Sequence, residues 1–165
     1  MAGTTLEDVK AAAQVSGSQL YHYFADKEAL VQAVIDRQAD VLISNQEHAD
    51  LGTTGGLRAW RDLVIAHASG LHCQGGCPLG SQLAETDAAA RARVATGFGR
   101  WSAAISDGLR ALHASGNLAP GISPDDLAVT LLAALQGGLL LAQVRRDTRP
   151  LETALDTLLA LATTT

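Results

Sequence analysis

Aromatic side chains are scarce in this chain of 165 residues: two Trp, two Tyr and two Phe, 4% in all. Strands draw heavily on aromatic and β-branched residues, so an all-β architecture is excluded. Cysteine is scarcer still. Cys73 and Cys77 are too few for a disulfide scaffold, and a reduced, cytoplasmic setting is expected. Basic charge is also short: twelve Lys and Arg stand against seventeen Asp and Glu, and the deficit lies in residues 1–50, with three cations and eight carboxylates. A chain of that balance does not advertise a nucleic-acid partner by charge alone. The one membrane candidate, Leu127–Val144, is uncharged for 18 residues but contains Thr130, Gln136, Gly137, Gly138 and Gln143. It falls short of the roughly 20 apolar residues a span needs. A buried or interface helix is expected there, with no membrane partner. Met1-Ala2-Gly3-Thr4 runs straight into a charged amphipathic segment, so no signal peptide is expected. Phosphate-binding loops, paired carboxylates within an apolar run and Cys–His spacings suited to nucleophilic chemistry are missing too, so neither enzymatic activity nor a cofactor is expected. Cys73 and Cys77, with His67 and His72 nearby, match no standard zinc spacing, and no metal is expected.

What the chain has in quantity is alanine and leucine, 30 and 25 residues, a third of the total. Both are strong helix formers, and an all-α fold follows. Thr5 precedes Leu6-Glu7-Asp8, a capping-box start for a helix of about two turns. Ser16 caps a second short helix through Phe24, and Asp26 a third, with Leu30, Val34, Val41 and Leu42 at helical spacing to about Glu47. Asp50-Leu51-Gly52-Thr53-Thr54-Gly55-Gly56 reads as the clearest linker. A helix marked by Leu57, Trp60, Val64 and Leu71, with His67 on the same side, ends before the breaker Cys73-Gln74-Gly75-Gly76-Cys77-Pro78. A short helix is expected near Ser81–Glu85 and a long one from Asp87, burying Val94, Phe98, Trp101, Ile105, Leu109 and Leu112 and stopping at Gly116. Ser123-Pro124-Asp125-Asp126 is the best-marked start in the chain, and Arg145-Arg146 closes that helix. The last helix begins at Pro150, with a stripe of Leu151, Ala154, Leu155, Leu158, Leu159 and Ala162.

The first thirty residues carry the functional signal. Two short helices, a tight turn and a third helix make a helix-turn-helix. The second helix opens Ser16-Gly17-Ser18-Gln19, small and amide side chains able to approach base edges closely. Gln19 can pair with adenine, and hydroxyls such as Ser18 serve several bases. Tyr21, His22 and Tyr23 can reach phosphate oxygens, and Lys27 can grip the backbone.

The run from Thr5 to Leu30, and especially Leu20-Tyr21-His22-Tyr23-Phe24-Ala25-Asp26-Lys27-Glu28-Ala29-Leu30, resembles the DNA-binding core of the TetR family of transcriptional regulators. Gly76-Cys77-Pro78-Leu79-Gly80-Ser81 and Leu135–Ala142, followed by Arg145-Arg146-Asp147, resemble the branch of lincomycin-resistance repressors. The resemblance implies an all-helical homodimer that reads a palindromic operator and releases it when a small molecule binds the larger C-terminal domain. It places Thr5, Tyr21 and Lys27 on phosphates and Gly17, Ser18, Gln19 and His22 on bases. Two departures stand out. Gln14 occupies the position where the family has Gly, so a left-handed turn residue costing about 1 kcal/mol is expected. The family's usual first helix is expected to be missing, since four residues precede Thr5, leaving Leu6, Val9, Leu20 and Phe24 poorly covered.

These readings divide the chain into a helix-turn-helix module with its connecting helix, residues 1–46, and a helical ligand-binding and dimerisation domain, residues 47–165. Trp60, Val64, His67, Cys77, Phe98, Trp101, Ile105 and Gln136 are the expected ligand walls, and their low charge implies a small apolar or aromatic effector. The helices at 127–144 and 151–162 are expected to pair with their copies as a four-helix bundle. Gly137-Gly138 would let the backbones approach there. The alternative reading is a dimeric helical ligand-binding protein that does not bind DNA in this form.

Overall fold

The computed structural model describes residues 5–47, 49–80 and 88–164. The short helix expected near Ser81–Glu85 and the Asp87 start of the next lie outside them. Seven helices are present among the described residues: α1 (Leu6–Ala13), α2 (Gly17–Tyr23), α3 (Lys27–Glu47), α4 (Thr54–Gly70), α5 (Ala88–Ala114), α6 (Pro124–Arg145) and α7 (Arg149–Ala162). Among those residues the extended pairing is one isolated bridge, Leu118 to Thr163.

The helix starts are chemically defined. The Thr5 hydroxyl accepts from the Asp8 N–H at 3.2 Å, and the Thr5 N–H donates to the Asp8 carboxylate at 2.8 Å. Ser16 and Gln19 make the same reciprocal pair on α2. Ser123 accepts from the Asp126 N–H at 3.3 Å, with Pro124 opening α6. Each such cap contributes about 1 kcal/mol by satisfying amides the helix leaves unpaired. Between α1 and α2, Gln14 sits at φ 55°, in the left-handed region, as expected from its place in the turn.

The core is organised on α5. Val94, Trp101, Ile105, Leu109 and Leu112 are all buried, each contributing about 1.5–3 kcal/mol by leaving water. α3 lies along one side of α5, α6 along another, and α7 packs on α6. α6 is long and apolar enough to cross a membrane by length and composition, yet Leu127, Leu131, Leu135 and Ala142 are buried inside the molecule. Arg61 latches α4 to α7 by a two-pronged pair with Asp156, at 2.8 and 2.7 Å.

Three registers differ from those expected. On α3 the deepest residues are Ile35 and Ala39, while Val41 is exposed. On α4, Ala68 is buried, whereas His67 and Leu71 are exposed. The supposed linker is tucked in: Leu51 is buried, and its Cβ lies 2.5 Å from where a Cβ on Gly108 would stand, so glycine alone lets this segment cross α5. In the helix-turn-helix, Leu20 is buried after all, but Leu6, Val9 and Phe24 are half-exposed. The last two sit beside or within an open apolar trough of about 610 Å³ that Val9, Val15, Phe24 and Leu30 help to line.

The glycine pair on α6 divides its work within the subunit. A Cβ on Gly138 would lie 2.7 Å from Leu151 Cδ1 and 2.9 Å from its Cα, so Gly138 serves the α6–α7 crossing of one chain. Gly137 is exposed with open space around it. Gly138→Ala should therefore destabilise by about 1–3 kcal/mol through overpacking, while Gly137→Ala should not destabilise the fold and gains up to about 1 kcal/mol of helix propensity. Urea unfolding of the two variants checks the contrast. Gln14→Gly should stabilise by about 1 kcal/mol in the same measurement, since it relieves the left-handed strain.

Candidate functional site

The first of two regions is the outer face of α1 and α2. Leu20 anchors α2 to the module, which forces its other side chains outward. Ser16, Ser18, Gln19 and His22 are exposed, Gly17 is half-buried, and Tyr21 and Tyr23 are 58% and 77% exposed. His22 meets the Tyr23 ring edge-on, with centroids 5.1 Å apart. Thr5 and Lys27 are exposed at the starts of α1 and α3. The structure thus leaves all nine residues expected to meet DNA within the same small module, eight of them exposed.

Their hydrogen bonds refine the roles. The Gln19 side-chain carbonyl accepts from the Ser16 N–H at 2.8 Å, so the cap holds the oxygen that a paired adenine contact would need. Ser16 and Ser18 hydroxyls lie 3.0 Å apart. The Thr5 hydroxyl donates to Asp8 at 2.7 Å. Donation first from the Thr5 N–H and then from its hydroxyl holds the Asp8 carboxyl below its ordinary range. A depressed folded pKa means this cap is intact above the ordinary carboxylate range and is lost only as pH falls through the depressed value.

The second region is the core of the larger domain. Trp60, Cys77, Trp101 and Ile105 are buried in one continuous apolar cluster, with Val64 and Phe98 packed against it. Phe98 stacks on Trp101 at 6.2 Å between centroids. His67 does not join them: it faces solvent on α4, because Leu57, Trp60 and Ala68 define that helix's inner side. Gln136 is half-buried, its Nε2 is shielded and finds no hydrogen-bond partner among the described residues, and its Oε1 lies 3.3 Å from where a Cβ on Gly80 would stand. Cys77 adjoins the same point, accepting from the Gly80 N–H at 3.4 Å. Gly97 beside Phe98 is explained by packing, since a Cβ there would press on Leu79 and Ala39.

Sequence reasoning missed two features. Gln143 donates to the Gln74 carbonyl and Arg146 to the Cys73 carbonyl, both at 3.2 Å, so the end of α6 holds the glycine-rich loop. Their signal was Gln136 and Gln143 within the uncharged run of α6, with Arg146 just past its end. The other is Gln46, 4% exposed at the end of α3, whose Oε1 accepts from Trp101 Nε1 at 2.7 Å. Gln46→Leu should cost about 1–3 kcal/mol by stranding the indole N–H, whereas Gln46→Glu, which keeps an acceptor but puts a carboxylate at a position only 4% exposed, should lose more stability at neutral than at acidic pH. Thermal unfolding of both variants, with Trp fluorescence, checks it.

Residues 54–158 match the family model described as Tetracyclin repressor-like, C-terminal domain, and residues 1–34 match that of bacterial regulatory proteins, tetR family. An uncharacterized HTH-type transcriptional regulator of Mycobacterium tuberculosis is 31% identical over 157 residues, covering 90% of this chain and 78% of the relative. The HTH-type transcriptional repressor DhaR of a Mycobacterium species is 24% identical, over 91% of this chain and 77% of DhaR. The fold is shared with the regulatory protein TetR from Rhodobacter sphaeroides, at a TM-score of 0.84 and 20% identity, over 98% of this chain and 89% of that one.

Proposed function

The chain belongs to the TetR family of transcriptional regulators, and from that premise we propose that it is a repressor released from a palindromic operator by a small apolar or aromatic effector. Regulators of this family bind operator DNA, act as dimers and are not enzymes. The observation that carries the reading is the face of α2. A chain with six aromatic residues leaves Tyr21 and Tyr23 in solvent, on a helix whose start is capped and whose one buried anchor is Leu20. Ser16, Gly17, Ser18, Gln19 and His22 meet base edges in this reading, while Thr5, Tyr21, Tyr23 and Lys27 meet phosphates. Gln19 reads a base through its amide N–H₂ while its carbonyl stays in the cap.

The effector site lies in the core around Trp60, Val64, Cys77, Phe98, Trp101 and Ile105, and the Gln136 amide, unpaired among the described residues, donates to an acceptor on the effector. That core is linked to the DNA module. The Gln46–Trp101 bond and the pairs Asp36–Arg93 and Asp40–Arg100, at 2.8 and 2.7 Å, tie α3 to α5. Movement of α5 on effector binding therefore carries α3 and residues 1–46 with it, and the two states differ in half-site separation. The dimer forms through residues 127–144 and 151–162. Val129, Leu140, Leu141, Val144 and Leu161 on these helices are exposed, an apolar surface that a second copy covers as a four-helix bundle. The setting is cytoplasmic.

Selection of bound duplexes from random genomic fragments, followed by gel shift, tests the reading. Wild-type protein should bind with a steep salt dependence. Tyr21→Ala should weaken binding roughly tenfold through a lost phosphate contact, and Val144→Asp should yield monomers that no longer shift the operator. An intact dimer without salt-sensitive DNA affinity would overturn it.

A further inference from the structure

Lys10 lies in the last turn of α1, and its ammonium is 2.5 Å from the Glu7 carboxylate. The lysine side chain is only 24% exposed, while Glu7 is 79% exposed. Its burial comes from the neighbouring helix: Lys10 Nζ and Cδ lie 3.7 and 3.9 Å from where a Cβ on Gly17 would stand. Gly17 opens α2, one residue before Ser18. The lysine stem therefore runs across the start of the helix that presents Ser18 and Gln19, with its charge at the edge of that face.

Charge is in short supply here. Residues 1–34 contain two cations, Lys10 and Lys27, against Glu7, Asp8, Asp26 and Glu28. Three of those carboxylates have other work. Asp8 accepts from Thr5, Asp26 from the Ala29 N–H at 2.8 Å, and Glu28 from the Gln32 amide at 3.1 Å. Glu7 is set against Lys10.

We propose that Lys10 is a phosphate-contacting residue and that Glu7 is a built-in competitor for it, so that the Glu7–Lys10 pair sets how tightly the module grips the DNA backbone. The inference rests on the DNA-binding reading above. A phosphate that takes the ammonium must displace Glu7, and the displaced carboxylate then stands beside another anion. Glu7 weakens binding on both counts. In the wild type the ammonium is shared between Glu7 and the phosphate; with the carboxylate removed, Lys10 neutralises that phosphate fully and releases its counterions.

The test is fluorescence anisotropy of the full chain on a labelled random-sequence duplex of about 30 base pairs, long enough for two half-sites, across a salt series. Phosphate contacts register on any sequence, so no operator is required. Glu7→Gln should bind up to roughly tenfold tighter at low salt, with the slope of log K against log salt steeper by up to about 0.9 per protomer. Lys10→Met, which keeps the stem over Gly17, should bind more weakly than wild type, and Glu7→Gln combined with Lys10→Met should lose the extra slope. Circular dichroism confirms that each variant keeps its helices. Wild-type binding with an unchanged slope in Glu7→Gln overturns this inference alone, since an ordinary helix-surface pair predicts that result. Failure of every variant and of wild type to bind the duplex overturns the DNA-binding reading and this inference with it.

Discussion

The hydrogen bond from Trp101 Nε1 to Gln46 Oε1 fixes where the last turn of α3 meets the middle of α5, and the two halves of the molecule are registered from that point. An indole N–H buried without a partner costs roughly 1–3 kcal/mol, so this contact holds one arrangement of α3 on α5 against its neighbours in register. From there α3 runs back along α5 through Ile35 and Ala39 to the helix-turn-helix. α5 itself presents its apolar face to α6, and α6 to α7. A helix-turn-helix module and a larger core joined this way cannot move independently, which is the property the proposed ligand-released repressor needs.

The same seam answers the charge problem. Residues 1–50 carry a heavy surplus of carboxylates, yet Asp36 and Asp40 of α3 are paired by Arg93 and Arg100 of α5. These pairs are about half exposed and contribute roughly 0.2–1 kcal/mol each. Their larger consequence is electrostatic: part of the surplus is neutralised by cations more than fifty residues away in sequence. An acidic module can then face DNA with a field milder than its composition suggests, and its few cations acquire correspondingly more weight.

Particular residues show how far sequence reasoning reaches. The capping box at Thr5, the cap at Ser16, the left-handed Gln14, the Ser123-Pro124 start and the buried stripe of α7 were all legible. Each depends on neighbours within four residues. The register of α3 was not, because Val34, Ile35, Leu42 and Ile43 allow more than one apolar stripe and only the position of α5 selects Ile35 and Ala39. His67 was misplaced for the same reason. The glycines misled in another way: Gly108 and Gly138 mark close crossings whose partners, Leu51 and Leu151, sequence does not name. At the candidate interface, every exposed residue of α2 was named from the motif as a candidate DNA contact, while the exposure of both tyrosines came only from the structure. The engagement of Gln19 by the Ser16 cap was implicit in the Ser-x-x-Gln spacing, but its consequence for base reading appeared only when both bonds were seen together.

By itself, then, the sequence determined the helical class, the capped starts of α1, α2 and α6, and the family, because these rest on local hydrogen bonding, backbone preference and a contiguous motif, whereas α4 begins at Thr54 inside the expected linker. Tertiary structure alone decided which face of each helix is inward, that Gly138 serves the subunit's own crossing, that α3 is locked to α5 through Gln46, and that Lys10 lies across Gly17 under the hold of Glu7. Those outcomes depend on which helix comes to lie against which. Close packing of apolar side chains and the need to satisfy each buried polar group choose among arrangements that the local pattern leaves equivalent.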